Sequence, residues 1–131
     1  MCGIAGIYNL SGKKISENVL NSMSAAIAHR GPDGRGTFIN NNIGLAHRRL
    51  SILDLSENGR QPMSSGNGDW EIVFNGCIYN YKELKIQLID RGHTFRSGTD
   101  TEVIAEGLVE FGPEYLQRLN GMFAIGAWNK T

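Results

Sequence analysis

Apolar and polar positions follow two patterns along the chain, one typical of strands and one typical of helices. The run CGIAGIY at residues 2–8 is short, apolar and rich in small side chains, which predicts a buried strand. Residues 15–30 instead carry apolar side chains at helical spacing, with Ser16 placed to cap the helix. The apolar face predicted for that helix consists of Ile15, Val19, Leu20, Met23, Ala26 and Ile27.

The rest of the chain continues this mixture of strands and helices. Short apolar runs predict strands at residues 37–39, 43–53, 70–80, 94–97 and 121–128. Helical patterns occupy residues 81–91, after a capping Asn80, and residues 98–111. Residues 54–69 are polar and predict a long loop, and loops of this length are usually functional or mobile. Because strands outnumber β-α alternations, the predicted fold class is α+β.

Composition and charge narrow the function. The chain has 131 residues, 40% hydrophobic and 20% charged, which indicates one globular domain. Its 13 basic and 13 acidic residues balance, so no overall field attracts nucleic acid or an anionic membrane. No segment approaches the roughly 20 apolar residues of a membrane helix, and the start of the chain lacks the basic region of a signal peptide. We therefore expect a cytoplasmic protein with reduced thiols that binds neither nucleic acid nor membrane.

The position of Cys2 is the first sign of chemistry. Cys2 and Cys77 are the only cysteines, so they do not belong to a disulfide framework. Once the start methionine is removed, Cys2 carries a thiol and an α-amine on neighbouring atoms, which supplies a nucleophile together with its base. Position alone favours the alternative that Cys2 is a small apolar residue in an edge strand. Other motifs must decide between the two interpretations.

Seven motifs occur in order along nearly the whole chain. They are MCGIAGIY, HRGPDG, GLAHRRLSILDLS, GRQPM, NGCIYNYKEL, SGTDTEVI and GMFAI. Together they resemble the glutaminase domain of glutamine-hydrolysing asparagine synthetases, a branch of the class II glutamine amidotransferases with an amino-terminal nucleophile. The resemblance implies an αββα sandwich of largely antiparallel sheets, with residues 1–131 forming part of a type 2 glutamine amidotransferase domain.

The resemblance also implies a reaction and its catalytic residues. Cys2 matches the nucleophile that attacks the side-chain amide of glutamine, forming a thioester and releasing ammonia. Asn75 and Gly76 match the donors that stabilise the oxyanion of the tetrahedral intermediates. An Asn-Gly pair is otherwise typical of a hairpin turn, but this pair lies inside an apolar run. No metal or cofactor is expected in this domain.

Substrate recognition is implied for three more residues. Arg49 matches the residue that binds the α-carboxylate of glutamine, and a guanidinium can meet a carboxylate with two hydrogen bonds. Asp100 matches the partner of the α-ammonium, a role compatible with a helix N-terminal carboxylate. Cys77 stands where the family pattern has a Glu, which puts glutamine affinity in question. Arg48 is expected to be a surface charge.

Smaller expectations concern the site's surroundings. His29, Arg30 and Asp33 belong to a family motif, and we expect them to shape a loop through hydrogen bonds. Because alternate strand residues share a face, Asn75 and Cys77 would face one pocket with Cys2, so oxidation could join the two thiols. The simpler alternative is that Cys77 only fills the space of the missing Glu.

The end of the chain adds a further expectation. The family's domain normally continues through more strands and into a synthetase domain, where ATP and Mg are expected. The predicted partners are therefore glutamine and that synthetase domain, with possible homo-oligomerisation through the apolar strand at residues 121–128. The predicted function is glutamine hydrolysis with ammonia passed to an aspartate-activating domain. The alternative is a catalytically silent binding or assembly module.

Overall fold

The computed structural model describes residues 1–52 and 54–131, so Leu53, the end of one predicted strand, lies outside the described residues. The strands are β1 (Gly3–Tyr8), β2 (Gly34–Asn40), β3 (Ile43–Arg49), β4 (Met63–Ser64), β5 (Trp70–Ile78) and β6 (Gly121–Asn129). The α-helices are α1 (Glu17–Ala26), α2 (Tyr81–Asp90) and α3 (Asp100–Phe111). Short 3₁₀ helices span Ala28–Arg30, Glu57–Gly59 and Gly112–Arg118.

The strands form two antiparallel sheets of three strands each. The first sheet has the order β1-β3-β2, and the second has the order β4-β5-β6. In the first sheet Ala46 of β3 lies opposite both Ala5 and Thr37, and in the second Phe74 lies opposite Ile125. A hydrogen bond of 3.2 Å between the His47 ring and the Phe74 carbonyl joins the two sheets.

Helices cover the outer faces of the two sheets. A small core of Ile15, Leu20 and Ala46 lies between α1 and the first sheet. The larger core lies between the second sheet and α2 and α3, and consists of Ile72, Phe74, Ile78, Leu84, Leu88, Val103, Ile104, Ala105, Leu108 and Tyr115. The layers run helix, sheet, sheet, helix, which confirms the predicted αββα arrangement. No helix in the described ranges is long and apolar enough to cross a membrane.

Three helix predictions need correction. In α1, Val19 and Ala26 are exposed, and the buried polar residue Ser24 takes a place on the inner face. The Ser16 side chain forms no capping hydrogen bond although the residue occupies the N-cap position. Asn80 likewise does not cap α2 with its side chain, which instead bonds Asn120 and Arg118 before β6. The Asn80 side chain thus serves tertiary contacts rather than the local capping role that the sequence suggests.

The strand predicted at residues 94–97 is absent, and the prediction was wrong. The backbone N–H groups of Arg96 and Ser97 donate to the buried Glu102 carboxylate at 3.0 and 2.8 Å. A side chain thus satisfies backbone groups that a strand partner would otherwise satisfy. The strand predicted from residue 43 also ends early, at Arg49, and the predicted loop at residues 54–69 contains β4 and a 3₁₀ turn.

His93 joins α2 to α3 through two carboxylates. Its Nδ1 lies 2.8 Å from Glu106 and its Nε2 lies 2.8 Å from Glu110. Glu106 is buried and its other oxygen accepts the Gly66 N–H, so the cluster also holds the turn before β5. Burial acts to lower the pKa of His93, but the hydrogen bonds to the two glutamates outweigh it and raise that pKa.

This cluster predicts a pH dependence of stability. Because the folded pKa of His93 lies above its unfolded value of about 6.5, the stabilisation is complete below that pH and is lost as pH rises through the folded pKa. We expect a loss of about 1 kcal/mol, because solvent partly screens these charge-assisted bonds. Urea unfolding between pH 6 and pH 9 measures it.

His93→Gln should remove this pH-dependent loss, and His29→Gln is the matched control. His29 is exposed and has no side-chain hydrogen bond among the described residues, so its replacement should leave the loss intact. An equal loss in His93→Gln and in the unaltered protein would contradict the assignment to this cluster.

Candidate active site

One cavity of about 290 Å³ collects every candidate site residue. It lies where the start of the chain, the loop after β3, the middle of β5 and the start of α3 meet. Its lining includes Cys2, Arg49, Asn75, Gly76, Cys77 and Asp100. These residues come from distant parts of the sequence, and the fold brings them to one cavity.

Cys2 lies just before β1 and is half-buried. The Leu50 N–H donates to its sulfur at 3.2 Å, and the thiol donates to the Leu50 carbonyl at 3.5 Å. Arg30 donates from Nε to the Cys2 carbonyl at 3.1 Å. Met1 also lines the cavity. The backbone of Leu50 and the Arg30 side chain therefore fix the position of the Cys2 thiol at the cavity wall.

Side chains complete the open edge of β5. Strand β4 pairs only with Glu71 and Ile72, which leaves the edge of β5 beyond them without a strand neighbour. The Phe74 N–H donates to Gln61 at 2.6 Å, and the Ile78 N–H donates to Asp100 at 3.0 Å. Two side chains therefore act as hydrogen-bond acceptors where a further strand would otherwise lie.

His47 completes the same edge from the first sheet. Its Nε2 must donate to the Phe74 carbonyl, since a carbonyl only accepts. His47 is fully buried, and burial lowers its pKa to about 4. The ring is therefore neutral at pH 7, with its proton on Nε2. Because strand backbone groups alternate in direction, we expect the Gly76 N–H at the same edge as those of Phe74 and Ile78, and both Phe74 and Gly76 line the cavity.

Gly76 has no room for a side chain. Its φ of 146° is a conformation that favours glycine, and a Cβ here would overlap the Met122 carbonyl and the Phe123 backbone of β6. The Asn-Gly pair therefore lies inside a strand, and the alternative of a hairpin turn was wrong. The backbone of β5 can approach both β6 and the cavity only because residue 76 is glycine.

Asp100 is the first residue of α3 and is buried. Burial raises its pKa, while hydrogen bonds from the Ile78, Asp100 and Thr101 backbone N–H groups oppose this shift. Asp100 is therefore both a helix N-terminal residue and part of the cavity lining, while its role toward the α-ammonium stays a prediction. Thr99 caps α3 by accepting the Glu102 N–H at 3.3 Å.

Arg49 has a structural role that sequence reasoning missed. At the end of β3, its guanidinium donates to the carbonyls of Ser56 at 2.8 Å and of Asp54. A guanidinium has five N–H donors, so others remain for a ligand in the cavity. Asp54 in turn accepts the Gly98 N–H at 3.1 Å, and hydrogen bonds from Ser56 and Gly98 lower its pKa. Arg49 and Asp54 thus fasten the loop after β3 to the start of α3.

The predictions for the motif HRGPDG and for Arg48 are confirmed in part. Arg30 contacts Cys2, and Asp33 accepts the Ser51 N–H at 2.9 Å, which confirms their predicted loop-shaping role. His29 has no side-chain hydrogen bond among the described residues. Arg48 is half-buried rather than a free surface charge, because the buried Ser24 of α1 offers it two acceptors at 3.0 Å.

Both cysteines are free thiols on the same cavity. Cys2 is half-buried and Cys77 is exposed. The shared pocket agrees with the strand alternation that placed Asn75 and Cys77 near Cys2. A disulfide between the two cysteines stays a prediction.

Comparison with known proteins identifies the family. Residues 1–131 match the model of the glutamine amidotransferase domain. The chain belongs to this family. This amidotransferase domain also resembles the structure of glutamine phosphoribosylpyrophosphate amidotransferase from Bacillus subtilis, with a TM-score of 0.78 over 100% of the chain and 36% of that protein. At 20% sequence identity this likeness confirms the fold alone.

Curated relatives confirm the predicted resemblance to asparagine synthetases. The amidotransferase domain is 42% identical over its full length to asparagine synthetase [glutamine-hydrolyzing] 1 of Bacillus subtilis. It is 37% identical over 98% of its length to asparagine synthetase B [glutamine-hydrolyzing] of Escherichia coli. The chain spans 21% of the first relative and 23% of the second.

The crowded backbone at Gly76 gives a stability prediction. Gly76→Ala should destabilise the protein by about 2 kcal/mol or more, because the methyl group overlaps β6 and the φ angle is unfavourable for alanine. Gly98→Ala is the control, because a Cβ there meets no atom within 4 Å. Urea unfolding midpoints measure both, and equal midpoints for the two variants would contradict the close approach of β5 and β6.

Proposed function

We propose that this chain is the glutaminase domain of an asparagine synthetase-like protein. It hydrolyses glutamine to glutamate and ammonia, and in the full-length protein the ammonia passes to an aspartate-activating synthetase domain. The observation that supports this proposal is the meeting of Cys2, Arg49, Asn75, Gly76 and Asp100 on one cavity. A cavity of about 290 Å³ suits a small amino acid rather than a polymer.

The first step uses the amino terminus. After removal of Met1, the α-amine of Cys2 takes the thiol proton, and the sulfur attacks the side-chain amide carbon of glutamine. The Leu50 N–H, 3.2 Å from the sulfur, is placed to donate to it while it carries negative charge. The proton then moves to the leaving nitrogen, ammonia departs, and a γ-glutamyl thioester remains. Water attacks this thioester, which releases glutamate and restores the thiol.

The open edge of β5 serves the oxyanion. Attack on the amide places negative charge on its oxygen, and donors fixed in advance stabilise that charge without reorganisation. The Gly76 N–H points to the cavity edge, and the neighbouring Asn75 adds a side-chain amide to the same lining. Because β5 is held at Phe74 and Ile78 on either side, these donors are rigid.

The charged ends of glutamine fit the two charged residues. The N–H groups of Arg49 that do not bind the loop would bind the α-carboxylate, and the Asp100 carboxylate would bind the α-ammonium. Burial raises the pKa of Asp100, and a cationic ligand would offset that cost of burying its charge. Recognition of both charges would distinguish glutamine from simple amides.

The chain itself supplies the groups that glutamine hydrolysis uses. Nucleophile, base and oxyanion donors all come from the chain itself, so we propose no metal or cofactor here, and ATP and Mg would act in the synthetase domain. A free catalytic thiol suits a reducing compartment, which favours a cytoplasmic location.

Met122 and Phe123 of β6 are 71% and 40% exposed, which favours association of this strand with a further chain or copy.

A catalytically silent binding or assembly module is the second candidate. The feature that favours it is Cys77, which is exposed at the cavity where the family pattern has a Glu. Loss of a carboxylate near the α-ammonium weakens glutamine binding, and a fold can be kept after turnover is lost. Measured turnover decides between the candidates.

The test of the glutaminase proposal compares two forms of one protein. One form carries a cleavable N-terminal extension, and the other has been cleaved so that Cys2 is the terminus. We expect glutamate release from glutamine only after cleavage, because only then does Cys2 carry an α-amine. A glutamine analogue with an electrophilic diazoketone should label Cys2 of the cleaved form.

Peptide mass mapping supplies an internal control for this labelling. Cys77 is also exposed to solvent, so labelling of Cys2 alone would show nucleophile activation rather than general thiol reactivity. Full glutamine turnover by the uncleaved form would refute the amino-terminal mechanism. A cleaved form with neither turnover nor labelling would favour the silent module.

A second prediction concerns residue 77. Cys77→Glu should lower the KM for glutamine by about tenfold, because it adds a carboxylate to the cavity that holds Asp100, and a charge-assisted bond contributes about 1.5–3 kcal/mol. Asn18→Glu adds the same charge on the exposed face of α1 and should leave KM unchanged. Steady-state kinetics measure both, and an unchanged KM in Cys77→Glu would show that residue 77 does not contact the substrate.

A further inference from the structure

The side chain of Gln61 connects the two halves of the cavity. It is buried and belongs to the cavity lining. Its Oε1 accepts the Phe74 N–H at 2.6 Å, and its Nε2 donates to the Thr101 hydroxyl at 3.2 Å. Phe74 precedes Asn75 in β5, and Thr101 follows Asp100 in α3. One side chain therefore bridges the strand of the proposed oxyanion donors and the helix of the proposed ammonium acceptor.

The chemistry of this bridge requires an amide. The Phe74 N–H can only donate, so it fixes Oε1 of Gln61 toward β5 and Nε2 toward α3. A carboxylate would offer two acceptors and a buried charge, and an apolar side chain would offer neither bond. Because β4 does not pair with β5 as far as Phe74, loss of Gln61 would leave the Phe74 N–H buried without a partner.

The backbone of Gln61 is itself held by the first sheet. The Gln61 carbonyl packs so closely on Gly36 of β2 that a Cβ at residue 36 would overlap it. Gln61 is thus fixed at its backbone to the first sheet and at its side chain to β5 and α3. Both sheets and the helix that carries Asp100 meet at this one residue.

We propose that Gln61 is a positioning residue that sets the spacing between the Asn75–Gly76 pair and Asp100. This inference rests on the proposed glutaminase function and deepens it. With the spacing fixed, a ligand held by its α-ammonium presents its side-chain amide to Cys2 and the oxyanion donors. Gln61 need not touch the substrate for this role, because it acts through Phe74 and Thr101.

The test separates positioning from simple stability. The cleaved protein with Cys2 at its terminus is alkylated with iodoacetamide, and peptide mapping follows Cys2. The glutamine concentration that halves this alkylation rate reports how readily the site at Cys2 is occupied, by bound glutamine or by the thioester formed from it. In Gln61→Met we expect this concentration to rise about tenfold, in line with the loss of one buried hydrogen-bond pair, while alkylation without glutamine stays within about twofold.

Three further variants sharpen the result. Thr101→Val removes only the α3 end of the bridge and should raise the same concentration, and the double variant should add little to Gln61→Met because both remove one link. Gln87→Met makes the same substitution on the exposed face of α2 and should change nothing. If Gln61→Met does not fold, Thr101→Val alone decides the question.

The outcomes distinguish this inference from the proposed function. Protection by glutamine without turnover would refute hydrolysis yet leave the positioning role measurable. Unchanged protection in both Gln61→Met and Thr101→Val would overturn the positioning role. So would equal loss of protection and of alkylation without glutamine, since that result indicates a general loss of structure. Absence of protection in the unaltered protein would overturn both, because there would be no ligand to position.

Discussion

The site depends on one constraint, which is that the exposed edge of β5 must satisfy its backbone groups without a neighbouring strand. Strand β4 covers only the beginning of this edge, so side chains from three other elements complete it. Gln61, His47 and Asp100 bond to Phe74 and Ile78, and Gly76 lies between those two positions. The same arrangement that stabilises the strand holds Gly76 between two fixed positions at the cavity. Stability of the sheet and the position of the Asn75–Gly76 pair are therefore one structural solution.

The apolar runs predicted most of the strands and the α+β class. The αββα layers and the site residues were implied by the resemblance to the amidotransferase family, which rests on seven motifs in order. The prediction of a strand at residues 94–97 was wrong because the Glu102 side chain accepts the backbone N–H groups of Arg96 and Ser97. The apolar-polar pattern of residues 94–97 does not show that partner. The Asn80 cap failed for a similar reason, since Asn120 and Arg118 compete for its side chain. Side-chain partners outside the periodic pattern decide such cases, and a single sequence does not reveal them.

The site residues that sequence analysis missed are those that hold other residues in place. Asp54 fastens a loop to α3, and Gln61 bridges β5 and α3. Neither has a local signature of function, although Asp54 with Ser56 two residues later resembles an ordinary Asx turn. Arg49 was assigned to a substrate, yet it also bonds two loop carbonyls. Its dual use couples the position of the loop after β3 to the charge that would receive the substrate.

Two histidines, the buried His47 and the half-buried His93, give the protein opposite responses to acid and base. His47 lies neutral between the sheets, and its pKa of about 4 means that acidification places a charge in the interior. This cost begins below the unfolded pKa of about 6.5 and grows until the pH reaches the folded value. His93 behaves in the opposite sense, since its bonds to Glu106 and Glu110 need the ring charged. Taken together, the histidines favour a stability maximum near the ordinary pKa of an imidazole, with the intersheet contact limiting it on the acid side and the α2–α3 contact on the alkaline side.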